Sequence, residues 1–354
     1  MELQQLREQI DRIDSQLIDL IVDRMAIIKE VGELKRSQNS IVYRPEREKV
    51  IIDRLYDRSG GKLNKAAIEA IFLEIFAVSR TLELPERIAY LGPEGSFTHQ
   101  VAESKFGAIG NYLCQKTIKG VFDSVHTNRS AFGVIPIENN QAGAVKETIA
   151  LLANKPLKIV AEISEPIHFC FTSIEDNVGD IKTIYSKDMA FHQCEDFLHE
   201  HFDADVELIT VDSTSQAAQL ASETPQSAAL CSLIAAKIHK LPVLFYNVED
   251  SEENQTRFLI IARTFENAAS GNDKTSIIAK MGDETGSLVA LLNEFKSNNI
   301  NLTKIESWPA KNGATFSYYF IIDFDGHYLD ENVQTVLAKY PQQLKLLGSY
   351  IKVV

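Results

Sequence analysis

The chain has 354 residues, 45% of them apolar and 24% charged, with 36 Lys and Arg against 49 Asp and Glu for a formal net charge of -13. At roughly 150 residues per domain this length predicts two or three cores, and the composition excludes a disordered chain. The acid excess excludes a general nucleic-acid or anionic-membrane surface, because either needs a basic stripe.

The acidity is uneven. Residues 1–86 carry 14 Lys and Arg against 16 Asp and Glu, a balance of -2, which leaves -11 for the rest. Cys114, Cys170, Cys194 and Cys231 are far apart and form no Cys-x-x-Cys pair. They read as buried thiols in a reducing compartment. The N-terminal residues hold no apolar leader segment, and no run approaches the ~18 apolar residues of a membrane span, so a soluble, cytoplasmic protein is expected.

Leu3, Leu6, Ile10, Ile13, Leu17, Leu20, Ile27, Val31 and Leu34 alternate by three and four, the pattern of one long helix. Arg24 occupies the one seam position that is not apolar. A charge in a packing seam needs a partner, so Arg24 is either a buried salt bridge or part of an anion site. Lys35 lies eleven residues on, about three turns, and projects from nearly the same face. A second helix is predicted after Tyr43-Arg44-Pro45, with Arg47 and Glu48 in its opening turn. A third is predicted over about 64–84, with Ile68, Ile71, Phe72, Ile75 and Leu82 inward. Ser79 and Glu83, four apart, share a face of it.

The segment LREQIDRIDSQLIDLIVDRMAIIKEVGELK, followed by YRPERE, resembles the three-helix chorismate mutases. The resemblance implies that Arg7 and Arg24 bind the substrate carboxylates and that Lys35 and Glu83 reach the ether oxygen. It also implies that Arg47, Glu48 and Ser79 hold the hydroxyl and carboxylate end. A Claisen rearrangement needs a folded substrate and positive or proton-donating groups where negative charge grows. Arg7 and Arg24 are 17 residues apart, about 26 Å on a straight helix, so if both serve one site, Arg7 comes from another chain and the enzyme is an intertwined dimer. Many relatives have Gln where this chain has Glu83, which donates only when protonated. Mutase activity is therefore expected to decline as pH rises.

A linker at 84–87, containing Pro85, introduces a different grammar of short apolar runs and glycines. IAYL reads as a strand and GPEGSFT as a turn into a helix, with Ser96 and Thr98 at its N-terminus. GVIPIENN delivers Glu138, Asn139 and Asn140 at a strand end, and NQTRFLIIA puts Thr256 and Arg257 at the start of an apolar strand. LGPEGSFTHQVA, GVIPIENNQAGAV and TRFLII are similar to the signature segments of prephenate dehydratases. That resemblance implies two α/β lobes, related to periplasmic binding proteins, with substrate between them and the chain crossing near Pro166 and returning near Val248. It implies Thr256 as the general acid for the departing hydroxyl. Glu138, Asn139, Ser186 and Gln193 would orient substrate, and Arg257 would steady a carboxylate. The SKDMAFHQC segment departs from the family at Lys187, Asp188 and Met189, and leaves helix capping as a rival role for Ser186.

From about Lys274 the predicted order is βαββαβ, the ferredoxin-like split unit, and the segment resembles an ACT domain. In that family Gly286, Ser287, Leu288 and Val289, with the run Ile305-Glu306-Ser307-Trp308-Pro309, shape a phenylalanine site. Ser287 stands where Ala is usual and Trp308 where Arg is typical. The expected organisation is an all-α chorismate mutase domain over 1–86, a two-lobed α/β dehydratase domain over 88–264 and an α+β ACT domain over 273–354. The chain would convert chorismate to prephenate and then to phenylpyruvate without metal or cofactor, under phenylalanine feedback, as a homodimer or higher homo-oligomer. No nicotinamide fingerprint follows a strand. The rival readings are a ligand sensor and a dehydratase with a decayed mutase.

Overall fold

The computed structural model describes residues 3–37, 45–83, 86–203, 205–251, 253–264, 267–282, 284–310 and 317–352. The chain forms two compact units, Met1–Arg87 with Glu103–Asn111, and Ile88–Ala102 with Tyr112–Val354. Among the described residues no helix is long and apolar enough to cross a membrane.

The first unit is built on α1 (Leu3–Ser37), α2 (Pro45–Ser59) and α3 (Lys65–Glu83). Pro45 opens α2 as expected, where its missing N–H costs nothing; Tyr43 and Arg44, and the linker residues Leu84 and Pro85, lie outside the described residues. The inward stripe of α1 differs from the predicted seam. Met25 and Gly32 are buried and Arg24, Ile28, Val31 and Lys35 half-buried, whereas Ile27, Leu34 and every apolar residue of the predicted seam from Leu3 to Leu20 are exposed. The helix therefore carries two apolar stripes, and α3 covers only the one in its C-terminal half. On α3, Ile68, Phe76 and Ala77 are buried, but Ile71 and Leu82, predicted inward, are exposed. The contact face of α3 is narrower than its apolar content suggests.

In the second unit, β1 (Arg87–Leu91), α4 (Phe97–Phe106, whose residues from Glu103 on belong to the first unit), β2 (Asn111–Gln115), α5 (Ile118–His126), β3 (Phe132–Asn139), β4 (Gly143–Ala144), α6 (Lys146–Asn154) and β5 (Lys158–Pro166) build a first lobe. The chain then crosses to a second lobe of β6 (Cys170–Ser173), β7 (Thr183–Ser186), α7 (Asp188–Gln193), α8 (Glu195–His201), β8 (Glu207–Thr210), α9 (Thr214–Glu223), β9 (Ser227–Cys231), α10 (Leu233–Ile238) and β10 (Val243–Phe245). It returns as β11 (Gln255–Ala262), which completes the first sheet in the order β2-β1-β3-β11-β5. The outward crossing at Pro166 is as predicted. The return is later than Val248, which is still packed in the second lobe's core. The two crossing segments pair where the Ile167 N–H donates to the Asn254 carbonyl.

The remaining chain runs β12 (Asp273–Ala279), α11 (Ser287–Ser297), β13 (Leu302–Ala310), β14 (Ser317–Asp325), α12 (Glu331–Lys339) and β15 (Leu344–Ile351), with sheet order β13-β14-β12-β15. The predicted βαββαβ order is what the chain adopts. One face of this sheet buries Ile277, Ile322 and Phe324 under α11 and α12. Alternation sends Ile278, Tyr319, Ile321 and Tyr350 to the other face, where they share one core with Ile135, Leu152, Ile159 and Leu259 of the first lobe. Three of the four cysteines are buried, and burial pushes the thiols of Cys170 and Cys231 up to about 11 and about 12. Cys114, predicted buried, is exposed because β2 is the edge strand of its sheet.

Candidate active sites

A groove of about 520 Å3 in the first unit is lined from all three helices: Arg24, Ile28, Val31 and Lys35 on α1, Glu46 to Glu48 and Ile51 on α2, and Phe76, Ser79, Arg80 and Glu83 on α3. Six of the seven residues predicted for the first chemistry therefore meet around one space. The α1–α3 approach is close enough that a Cβ on Gly32 would lie 3.0 Å from the Glu83 Cα. That contact lets Lys35 Nζ donate to Glu83 Oε1 over 3.0 Å. Arg24 Nη1 donates to Ser79 Oγ at 2.5 Å, and Ser79 in turn donates to the Ile75 carbonyl at 2.6 Å. The Arg24 guanidinium also lies 5.8 Å from the Phe76 ring centroid, so one face of it is packed and fixed. Burial lowers the Arg24 pKa, with Arg47 adding to the effect and Glu83 opposing it.

Arg7 lies elsewhere, on the exposed N-terminal part of α1. Sequence reading missed Arg80, a buried side chain that pairs with Glu48. Its signal was present, since Phe76, Ser79, Arg80 and Glu83 follow the spacing of a single helix face. Burial raises the Glu48 carboxyl above its ordinary range, against the opposing pull of Arg80. Burial also pushes Glu86 up to about 7, with Glu83 adding to the shift and Arg80 and Lys35 opposing it.

In the second unit, antiparallel pairing sets Thr256 against Asn139 and Arg257 against Glu138. Asn139 Nδ2 donates to Thr256 Oγ1 and to Asn254 Oδ1, each at 2.9 Å. Asn139 Oδ1 accepts from the N–H groups of Gln141 and Ala142. Gln193 reaches this network from the other lobe, Nε2 donating to Gln141 Oε1 at 2.7 Å. Ser96 accepts from the His99 N–H at the head of α4, and Thr98 is buried in that helix's first turn.

Three predicted residues sit differently. Ser186 is fully buried and donates to the Leu230 carbonyl, joining β7 to β9. It does not cap α7, whose N-cap is Lys187. Arg257 points toward the C-terminal sheet, with its guanidinium 3.2 Å from Glu138, 3.6 Å from Asp323 and 3.7 Å from Glu162. Successive strand residues face opposite ways, so Thr256 and Arg257 serve different surroundings. Glu138 also accepts from Lys304 Nζ at 2.6 Å, and Lys274 is bidentate on Glu162. Burial pushes Glu138 up, but Lys304 and Arg257 outweigh it and hold the carboxyl below its ordinary range. Burial lowers the Arg257 pKa, and the surrounding acids outweigh that in turn.

At the candidate effector site, Gly286 takes the left-handed conformation (φ 86°) that precedes α11. Ser287 Oγ donates to the Gly282 carbonyl, Leu288 is half-buried and Val289 exposed. The β13 residues divide by face. Glu306 joins Lys304 in the ionic cluster, while Ser307 and Ile305 are exposed. Within one chain Glu306 and Ser307 do not share a site. Trp308 packs against the core shared with the first lobe, its Nε1 buried without a hydrogen-bond partner among the described residues. The described residues hold no cluster suited to a metal ion.

Comparison with known proteins returns the family described as prephenate dehydratase over residues 88–266 and chorismate mutase type II over residues 6–84. A bifunctional chorismate mutase/prephenate dehydratase of Aquifex aeolicus is 37% identical, over 99% of this chain and 98% of its own. The same-named protein of Pseudomonas aeruginosa is 36% identical over 100% of this chain and 98% of its own. Among solved structures, the prephenate dehydratase of Arthrobacter aurescens in complex with L-Phe superposes with TM-score 0.66 at 28% identity, covering 75% of this chain and 90% of that one. That of Staphylococcus aureus superposes with TM-score 0.63 at 27% identity, covering 75% and 99%.

Proposed function

This chain belongs to the bifunctional chorismate mutase/prephenate dehydratases, and from that premise we propose how its residues divide the work. It rearranges chorismate to prephenate and converts prephenate to phenylpyruvate.

The mutase residues are Arg24, Lys35, Arg47, Glu48, Ser79 and Glu83, and the observation that carries this reading is their convergence on one groove. Arg24, held by Ser79, takes a substrate carboxylate, and Lys35 and Glu83 stabilise charge growing on the ether oxygen. Arg7 of a second copy supplies the other carboxylate contact. The uncovered stripe of α1 supports that homodimer, because an exposed row of six apolar residues calls for a partner.

Thr256 is the general acid of the dehydratase. It protonates the departing ring hydroxyl, which leaves as water. The electron pair of the breaking carboxylate bond enters the ring as carbon dioxide departs, and solvent returns the proton to Thr256. Asn139 fixes the Thr256 hydroxyl, Gln193 closes the network from the second lobe, and Ser96 and Thr98 bind an anionic group at the α4 N-terminus. Glu138 and Arg257 act from behind this site, and Ser186 holds the second sheet together.

Residues 1–86, 88–264 and 273–354 are the mutase, dehydratase and ACT regulatory segments of a cytoplasmic enzyme. Phenylalanine is its effector, bound by Gly286, Ser287 and Leu288 together with Ser307. The L-Phe complex of the Arthrobacter relative and the βαββαβ order support this. Supplying the purified protein with chorismate alone tests both activities. Phenylpyruvate is the expected product, prephenate accumulation would leave only the mutase, and unchanged chorismate would remove the mutase assignment.

A further inference from the structure

Arg80 is among the most buried charged side chains of the first unit, 9% exposed, and its guanidinium is spoken for on two edges. Nη1 donates to Glu48 Oε1, while Nη2 donates to the Phe106 carbonyl at 3.1 Å and the Lys105 carbonyl at 3.4 Å. The Phe106 ring centroid lies 5.8 Å from the guanidinium carbon. The segment carrying those carbonyls is locked onto α3. Gly107 has φ +82°, a Cβ there would lie 2.4 Å from the Ala77 Cβ, and the Ala108 N–H donates to Glu74. A side chain anchored this firmly fixes whatever its other edge holds, and that is a carboxylate lining the groove.

We propose that Arg80 is a positioning residue of the mutase site, holding Glu48 charged and turned so that it accepts a hydrogen bond from the substrate's hydroxyl. This rests on the reading that the groove takes chorismate. A flat five-donor fork can bridge two carbonyls and a carboxylate at once, which an ammonium cannot do with the same geometry. Glu48 needs such a partner. It faces Arg80 and Glu83 from α3, Arg24 and Lys35 from α1, Lys105 from the last turn of α4, and Glu46 and Arg47 on its own helix. Burial and Glu46 push its proton affinity up, while Arg80 and Lys105 bring it down, Arg80 more strongly. Without Arg80 the carboxyl keeps its proton to higher pH and becomes a neutral, weaker acceptor.

The test is kcat/KM for chorismate from pH 5 to 9 in the full-length chain and in Arg80→Met, Arg80→Lys and Glu48→Gln. In Arg80→Met the acidic limb should move to higher pH by about one unit or more, with KM at neutral pH rising more than kcat falls. Arg80→Lys should fall between. Adding Arg80→Met to Glu48→Gln should cost far less than in the parent. An acidic limb that stays in place in Arg80→Met with unchanged helix content, or costs that multiply in the double variant, would overturn the proposal. If Arg80→Met loses helix content, Arg80→Lys and the double variant decide. Failure of the parent chain to consume chorismate would remove the mutase reading and this proposal with it, an outcome distinct from an active enzyme whose limb does not move.

Discussion

Asn139 Nδ2 donates to Thr256 Oγ1 over 2.9 Å, and the Asn139 carbonyl oxygen is held by two backbone N–H groups, so the amide cannot usefully flip. A hydroxyl that accepts from an amide points its own hydrogen elsewhere, which is what a proton donor requires. Thr256→Val is expected to lower the kcat of prephenate dehydration by about 10²–10⁴-fold, the usual worth of a general acid. Thr256→Ser should keep most of it. Asn139→Ala should lower kcat with a smaller change in KM. Chorismate consumption, assayed on the same samples, should be unchanged in all three.

Complementation in mixed dimers tests the origin of Arg7. Arg7→Ala and Arg24→Ala chains should each be inactive as mutases. In a randomly reassociated equal mixture half the dimers contain one of each, and in those one site of two is intact, so about a quarter of parental mutase activity should return. No recovery after verified subunit exchange would place both arginines' roles within one chain.

Glu83 lies 3.0 Å from Lys35 at the point assigned to the ether oxygen. Glu83→Gln replaces a carboxylate that accepts from Lys35 by an amide that can also donate. Mutase kcat/KM in this variant should be at least that of the parent, and Glu83→Ala should fall well below both. A Glu83→Gln variant as impaired as Glu83→Ala would rule out a hydrogen-bonding role at the ether oxygen.

Glu86 has a folded-state pKa of about 7, above the ordinary carboxyl value, chiefly through burial. A raised carboxyl favours the folded state fully only below the unfolded pKa, and that advantage is lost as pH rises from about 4.5 through 7. Glu86→Gln should therefore raise the melting temperature at pH 8 and leave it nearly unchanged at pH 4. The gain should be well under the ~3 kcal/mol of the full shift, because the side chain is partly solvated. Thermal unfolding at the two pH values reads this directly.

Arg257 joins Glu138, Glu162 and Asp323. Removing one partner of such a group strands the others, at about 3–5 kcal/mol when fully buried. Arg257→Ala should lower the unfolding midpoint of the second unit, and Arg257→Lys should recover only part of it. A midpoint unchanged in Arg257→Ala would mean that solvent screens the cluster.

The helices and the site they share were legible because helical geometry is local. Eleven residues bring Arg24 and Lys35 to one face, and four bring Ser79 and Glu83 together. The β-strand ends were legible as polar residues closing apolar runs. Which of those residues meet was not, because pairing Asn139 with Thr256 spans more than a hundred residues of chain. The ionic cluster of Glu138, Arg257, Lys274 and Asp323 arises from two sheets meeting face to face, a relation absent from any single segment. The division between Glu306 and Ser307 was readable, since adjacent strand residues face opposite ways. Ser186 lies at the end of a strand buried between neighbours on both sides, where a hydroxyl serves the backbone.

On the proposed homodimer, the uncovered stripe of α1 would tie one activity to protein concentration. The apolar residues of its N-terminal half, Leu3 to Leu20, have no tertiary cover among the described residues, and a helix of that length is marginal in water by itself. Pairing would supply the missing burial, and the free energy of pairing vanishes on dilution. Mutase specific activity should then fall as the enzyme is diluted toward its dissociation constant. Thr256 and Asn139 belong to the second unit, so prephenate turnover per chain should persist, and the ratio of the two rates becomes a direct reading of how much protein is assembled.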